Sequence, residues 1–256
     1  GWNALMNTAY CKAYEATGKE QYRDQALRNM HFLLGAFRDE QGQYQHTWKN
    51  GIARYPAFLD DLAYLLQAFL QLQQVTGDLD WLGKARELGQ LIIDQYSEPG
   101  TPYFFYTPES QEDVIIRKKE VYDGAVPSGN SILAACFYHM SVVFDMKEWR
   151  DRSMDMYRML GNAITRYPVS FGVWAMGLQE IVEGTNEIVL AGDNPEALRA
   201  DLLSGYVPNK VLLTAGLEET SIALLAGRKR VGKPAIFLCR NNTCQPPVFS
   251  ADSLIS

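Results

Sequence analysis

This 256-residue chain has few cysteines, few histidines and no basic cluster longer than Arg228-Lys229-Arg230. Cys11, Cys136, Cys239 and Cys244 are too few for a disulfide framework. Two of them fall on apolar helix stripes, so a reducing, cytoplasmic setting is expected. Cys239 and Cys244 lack C-x-x-C spacing, a second cysteine pair and a nearby histidine. They read as free thiols, one ending a strand and one in a loop, not as a zinc or redox pair. A net charge of −6 leaves no electropositive footprint for nucleic acid. Apolar runs are broken by charge or glycine well before the length that spans a bilayer. The opening Gly1-Trp2-Asn3 has no basic n-region and already lies inside a helical pattern, as expected of a cut-out or processed piece. Gly192 stands alone where a dinucleotide site would need G-x-G-x-x-G, which excludes that class.

What is present is helical periodicity, and 47% hydrophobic residues are enough for a substantial core. Leu5, Met6, Ala9, Tyr10, Ala13 and Tyr14 form the stripe of a first helix over 3–16, stopped by Thr17-Gly18. A second runs from Tyr22 through Met30 to Phe37, and a turn-rich stretch, 39–56, follows it. Further helices are expected from about Asp61, Trp81, Ile132, Trp149 and Phe171. Thr17-Gly18 maps onto Thr76-Gly77 at an offset of 59, which also carries Tyr22 onto Trp81; an offset of 68 carries Trp81 onto Trp149. Helical hairpins repeating at that long period, with polar and aromatic loops on one side, predict an incomplete α/α toroid of about seven helices over 1–184. Composition then changes. Strand-like 187–192, 211–213 and 235–238, with a helix capped by Asn194-Pro195, predict a small α/β appendage over 185–256 with parallel strands.

The first helix of each hairpin should line the inside of such a ring. The inner entrances then align as Gly1-Trp2-Asn3, Asp60-Asp61-Leu62 and Ser128-Gly129-Asn130, all opening on one rim. Ser128 and Asn130 are natural helix caps, and helix N-termini offer N–H groups to an oxyanion or hydroxyl.

The segments Trp2-Asn3-Ala4-Leu5-Met6, Phe58-Leu59-Asp60-Asp61-Leu62-Ala63, Asp123-Gly124-Ala125-Val126-Pro127-Ser128-Gly129-Asn130-Ser131 and the 232–241 tail resemble one family. It is the thioredoxin-domain-containing DUF255 proteins, the YyaL type related to spermatogenesis-associated protein 20. The resemblance covers nearly the whole chain. It implies an (α/α)6 toroid similar to six-hairpin glycosidases, and an N-terminal thioredoxin-like domain, absent from this chain, as a partner. It names no substrate.

Sugar hydrolysis needs two carboxylates, and Asp60, Asp61 and Asp123 sit at the entrances. Arg54, Arg117 and Lys118 are candidates to hold an anionic group. Trp2, Trp48, Tyr55 and Tyr122 are candidates to stack on sugar rings, with Asn3, His46, Ser128 and Asn130 as further contacts. An epimerase would want two histidines as proton-transfer groups. Only His46 sits in a rim loop; His31 and His139 read as structural. The expectation is a carbohydrate-type pocket at the toroid mouth, without metal or cofactor. The competing class is a non-catalytic scaffold whose carboxylates are spent on caps. An incomplete ring should also expose apolar faces and self-associate.

Overall fold

The computed structural model describes residues 1–216, 221–228, 230–240 and 243–255; Lys229 and Asn241, singled out above, lie outside them. Seven helices come first: α1 (Trp2–Thr17), α2 (Glu20–Ala36), α3 (Leu59–Thr76), α4 (Asp80–Tyr96), α5 (Gly129–Phe144), α6 (Lys147–Arg166) and α7 (Gly172–Glu183). All begin within three residues of the expected starts. They pair as hairpins, α1 on α2, α3 on α4 and α5 on α6. The odd-numbered helices also pack in succession, α1 on α3, α3 on α5 and α5 on α7. The result is an inner layer backed by the even-numbered helices. α3 is the centre of that layer, and its Leu62, Ala63, Tyr64, Leu66, Phe69 and Leu72 are all buried.

The repeated Thr-Gly pair is one helix stop used twice. Thr17 and Thr76 each donate a hydroxyl hydrogen bond of 2.6 Å to the carbonyl four residues back. Gly18 and Gly77 follow with φ of 64° and 75° and donate their N–H to Tyr14 and Gln73. That left-handed geometry carries no Cβ penalty in glycine. Trp81 and Trp149, the aromatics near the start of the second helices, are both buried.

The 39–56 stretch, expected as turns, holds a hairpin of β1 (Gln45–Lys49) and β2 (Ile52–Pro56). Asn50 and Gly51 at its tip have φ of 53° and 80°. Two positive φ values make the turn whose twist matches paired strands. The aromatic run Tyr103-Phe104-Phe105-Tyr106 is a packed loop: Tyr103 and Phe104 are buried, and Phe104 bridges Ser97.

Beyond Gly184 the chain forms β3 (Asn186–Ala191), α8 (Glu196–Ser204), β4 (Lys210–Ala215), β5 (Ala235–Arg240) and β6 (Thr243–Cys244), in sheet order β4-β3-β5-β6. Only β3 and β4 are parallel; β5 runs antiparallel to β3, and β6 to β5. The expectation of parallel strands is therefore corrected. α8 supplies a crossover between β3 and β4, whereas the described residues between β4 and β5 hold only a 3-10 turn, Ala223–Leu225. Asn194 does not cap α8: it has a φ of 51°, and the helix starts after Pro195. The apolar core is continuous across Gly184, since α1 packs on α8 and α3 and α5 on β4.

Cys239 and Cys244 are also corrected. The β5–β6 pairing places them directly opposite with Cα atoms 4.0 Å apart, and they form a disulfide. Strand register joins them, and their spacing alone could not show it. Cys11 and Cys136 are free and buried. Among the described residues no helix is long and apolar enough to cross a membrane.

Candidate functional site

Each helix N-terminus carries a partial positive charge from its unpaired N–H groups. Gathering several of them at one rim needs anions between them, and the three predicted carboxylates serve that need. Asp61 accepts from the Phe58 main-chain N–H (2.9 Å) at the start of its own helix. Its other oxygen meets the main-chain nitrogen of Gly1 at 2.7 Å, at the entrance of α1. Asp60 points the other way and accepts from the Gly129 N–H (2.8 Å) at the entrance of α5. Asp123 takes the Ser128 N–H (3.0 Å) and the Ser131 hydroxyl (2.6 Å) on one oxygen. Its other oxygen takes the Val173 N–H (2.8 Å), at the entrance of α7. Four inner-helix entrances are thus joined by three carboxylates. Gly129 has to be glycine for this: a Cβ there would lie 2.6 Å from an Asp60 oxygen.

The carboxylates differ in what remains after these bonds. Both oxygens of Asp123 are taken. Those of Asp61 are taken too, the oxygen that accepts the Phe58 N–H also meeting His46 Nδ1 at 2.8 Å. Asp60 uses one oxygen only; the other has no hydrogen-bond partner among the described residues. Burial pushes its carboxyl up to about 6, partly offset by the Gly129 N–H. Neighbouring Tyr106 is pushed up to about 12, first by burial and then by the Asp60 and Asp61 charges.

Asp60 opens into a cleft of about 530 Å³. His46 and Trp48, two residues apart on β1, share one strand face and form one wall. Tyr106 stacks on Phe58 with ring centroids 4.8 Å apart, and the His46 ring lies 4.7 Å from Phe58. Tyr64, also lining the cleft, donates its hydroxyl to the Pro127 carbonyl. Bonding of His46 Nδ1 to the Asp61 carboxylate puts the proton on Nδ1 and leaves Nε2 as the basic nitrogen.

Of the residues singled out in the sequence, Trp2, Asn3, His46, Trp48, Asp60 and Asp61 line this cleft. Eight others do not. Asp123 and Ser128 serve helix entrances, Ser128 accepting from the Ser131 N–H at 3.1 Å. Asn130 is fully buried and clamps the aromatic loop through both Phe104 main-chain groups and the Glu120 carbonyl. Arg117 donates to the Thr107 and Gln95 carbonyls and lies over the Phe105 ring, so its guanidinium is engaged structurally. Lys118 and Tyr122 are exposed, Tyr122 leaning on Phe171 at 5.0 Å. Arg54 and Tyr55 sit exposed on β2. Sequence reasoning missed Tyr106, Tyr64 and Phe58. Tyr106 ends an aromatic run, 103–106, of which only Tyr103 and Phe104 are buried. Among the described residues no cluster of three or more histidine, cysteine or acidic side chains is placed to hold a metal ion.

No protein-family model matches the chain. It is 29% identical over 268 residues to an uncharacterised protein of Caenorhabditis elegans, an alignment spanning 99% of this chain and 36% of that protein. It is 27% identical over 268 residues to spermatogenesis-associated protein 20 of Rattus norvegicus and 25% identical to that of Homo sapiens, covering 96% of this chain and 34% of each relative. The chain therefore spans about a third of the length of these relatives. Among solved structures, a D-mannose isomerase aligns with a TM-score of 0.48 and 13% identity, over 61% of this chain and 38% of that one. A likeness of that size assigns neither fold nor activity. The similarity running along nearly the whole chain is to proteins of the spermatogenesis-associated protein 20 type.

Proposed function

We propose that the cleft at the inner-helix entrances binds a polyhydroxylated, carbohydrate-type molecule, with Asp60 and His46 as its proton-transfer groups, in part of an α/α toroid. The observation that carries this reading is Asp60: a carboxyl with one oxygen uncommitted, facing an aromatic-lined cleft and held near 6. A carboxyl titrating close to neutrality can both give and take a proton. Aromatic faces such as Trp48 and Tyr106 suit the C–H surface of a sugar ring, and His46, oriented by Asp61, supplies a basic nitrogen.

Two-carboxylate hydrolysis is less well supported, because Asp61 and Asp123 have both oxygens engaged. The pair left over fits proton transfer beside a carbonyl. His46 Nε2 would remove a carbon-bound proton while Asp60 protonates the carbonyl oxygen, giving an enediol that collapses to an isomer or epimer. A second reading, a scaffold for a thioredoxin-like domain or another copy of the chain, is favoured by that same consumption of carboxylates. The exposed apolar side chains Trp2, Met6, Met176 and Val182 fit it as well.

The test is exchange of carbon-bound hydrogen for deuterium in heavy water, followed by NMR on aldohexoses, ketohexoses and N-acetylhexosamines. Exchange should occur with the wild type and fall at least about a hundredfold in Asp60→Asn and His46→Gln, the range typical of removing a general acid or base. Neither exchange nor binding with any of these sugars would leave the scaffold.

A further inference from the structure

A second cavity, of about 830 Å³, lies at the other end of the inner layer. It is bounded by the C-terminal parts of α1 and α3, by α5 and α7, and by residues 203–210 on the remaining side. It shares no lining residue with the entrance cleft. On α3 the lining residues are Gln67, Leu70, Gln71 and Gln74, the i, i+3, i+4, i+7 stripe of one helix face. A stripe facing a core is normally apolar; this one carries three glutamines.

Four polar atoms on these walls have no hydrogen-bond partner among the described residues: Glu15 Oε1, Gln71 Oε1, Gln74 Oε1 and His139 Nε2. Glu15 and Gln74 are only 8% and 3% exposed. Buried polar atoms without partners cost stability, and native folds keep few of them. Here they belong to three different helices and converge on one space. No helix end or strand edge needs them, in contrast to the entrance carboxylates.

We infer that this cavity is a second binding site, for an uncharged, hydroxyl-rich small molecule. Three of the four unpartnered atoms are acceptors, so the occupant has to donate hydrogen bonds. Its charge follows from the walls. Lys12 and Lys210 lie 3.0 and 3.5 Å from the same Glu15 oxygen, and Glu180 is bonded by the Thr185 hydroxyl at 3.0 Å. Burial lowers the proton affinity of the Lys210 ammonium and raises that of the Glu180 carboxyl, so both are drawn towards neutrality. It also holds the His139 imidazole neutral, with its proton affinity pushed down to about 4. Neither a strong anion nor a strong cation finds an uncompensated partner. Leu70 and Val173 supply apolar wall for a carbon skeleton, and the volume falls within the usual range for small-molecule sites. The inference does not depend on the entrance cleft being a sugar site.

The test is calorimetric titration of the whole chain with sorbitol, glucose and N-acetylglucosamine. It is run on wild type, Gln74→Leu, Gln71→Leu and, as the entrance-cleft control, Asp60→Asn. At least one probe should bind saturably. Its affinity should fall about tenfold or more in both glutamine variants and stay within about twofold in Asp60→Asn, a tenfold loss being the scale of one good hydrogen bond. Without probe, Gln74→Leu should also raise the melting temperature, because it removes an unpaired buried group. Three results would overturn the inference: no saturable binding of any probe, binding indifferent to both glutamine variants, or a lowered melting temperature in Gln74→Leu. Should Gln74→Leu fail to fold, that counts with the last of these, and Gln71→Leu still reads the binding.

Discussion

The two cavities lie at opposite ends of the same inner helices and treat their polar side chains in opposite ways. At the entrance end five of the six oxygens of the three carboxylates are partnered, because free N–H groups at helix starts draw carboxylates to them. Asp61 and Asp123 are consumed in holding helices together, and only Asp60 retains an oxygen for other use. At the far end Glu15, Gln71, Gln74 and His139 each keep an atom without a partner among the described residues. A carboxylate at a helix entrance has a structural explanation ready, and it is the atom left over that points to chemistry. An unpaired glutamine on a buried helix face has no such explanation. The far cavity, which the sequence did not suggest, therefore offers the cleaner signal of binding, and the entrance cleft the cleaner signal of proton transfer.

The largest expected effect tests the structural half of that contrast. Asp123→Ala leaves the Ser128 and Val173 N–H groups without their acceptor, while the Ser131 hydroxyl keeps the Ser128 carbonyl at 2.8 Å. At about 1 kcal/mol or more for each of the two N–H groups, the loss should reach about 2–3 kcal/mol in urea unfolding. Sugar binding at the cleft should persist in whatever fraction remains folded. A loss below about 1 kcal/mol would mean that Asp123 is not holding α5 to α7.

Asp60→Asn should act with the opposite sign. Burial raises the Asp60 carboxyl from its ordinary 3.8 to about 6 in the folded chain. Between those values the folded state holds a proton that the unfolded state has released, so this group erodes stability as pH rises through that window. Asparagine keeps an oxygen for the Gly129 N–H but cannot ionise. The variant should therefore match wild type below about pH 4 and exceed it by about 1–3 kcal/mol above about pH 7, each pKa unit being worth about 1.4 kcal/mol. Melting curves at the two extremes check this. Equal stability at high pH would show that the Asp60 charge is well solvated, and the proton-transfer reading would lose its support. Gain of stability with loss of function is the pattern expected where a fold holds a strained group for use.

What could be seen in the sequence follows from the range of the forces involved. The starts of α1 to α7 were legible because apolar spacing along one helix is a local property, and so were the stops, since Thr17-Gly18 and Thr76-Gly77 act within four residues. That Asp60 and Asp61 exceed what one cap requires was legible too. Which neighbour each serves was not. Successive residues of a helix point about 100° apart, so Asp61 reaches α1 and Asp60 reaches α5 only once α3 is packed between them. The Cys239–Cys244 bond depends on strand register, and the antiparallel β5 on a connection whose length fixes no direction. His139 and Gln74 lie on helices whose other faces are core, and only the cavity distinguishes them from it.

The smallest expected effect concerns the wall that carries His46 and Trp48. Gly51 has a φ of 80°, and a Cβ placed there would meet nothing within 4 Å. Gly51→Ala therefore costs only the strain of a left-handed backbone, about 1 kcal/mol. That cost falls on a hairpin of mostly exposed residues, outside the core that α3 organises. Global unfolding should move by less than about 0.5 kcal/mol if the hairpin opens before the core does. Cleft function should suffer more than stability. A slip of one residue in the Trp48↔Ala53 pairing turns His46 away from Asp61 and Trp48 away from the cleft, because side chains alternate between strand faces. Sugar binding at the far cavity should be untouched. Equal losses at both cavities would mean that the two ends are not independent, and a stability loss well above 1 kcal/mol would place the hairpin within the cooperative core.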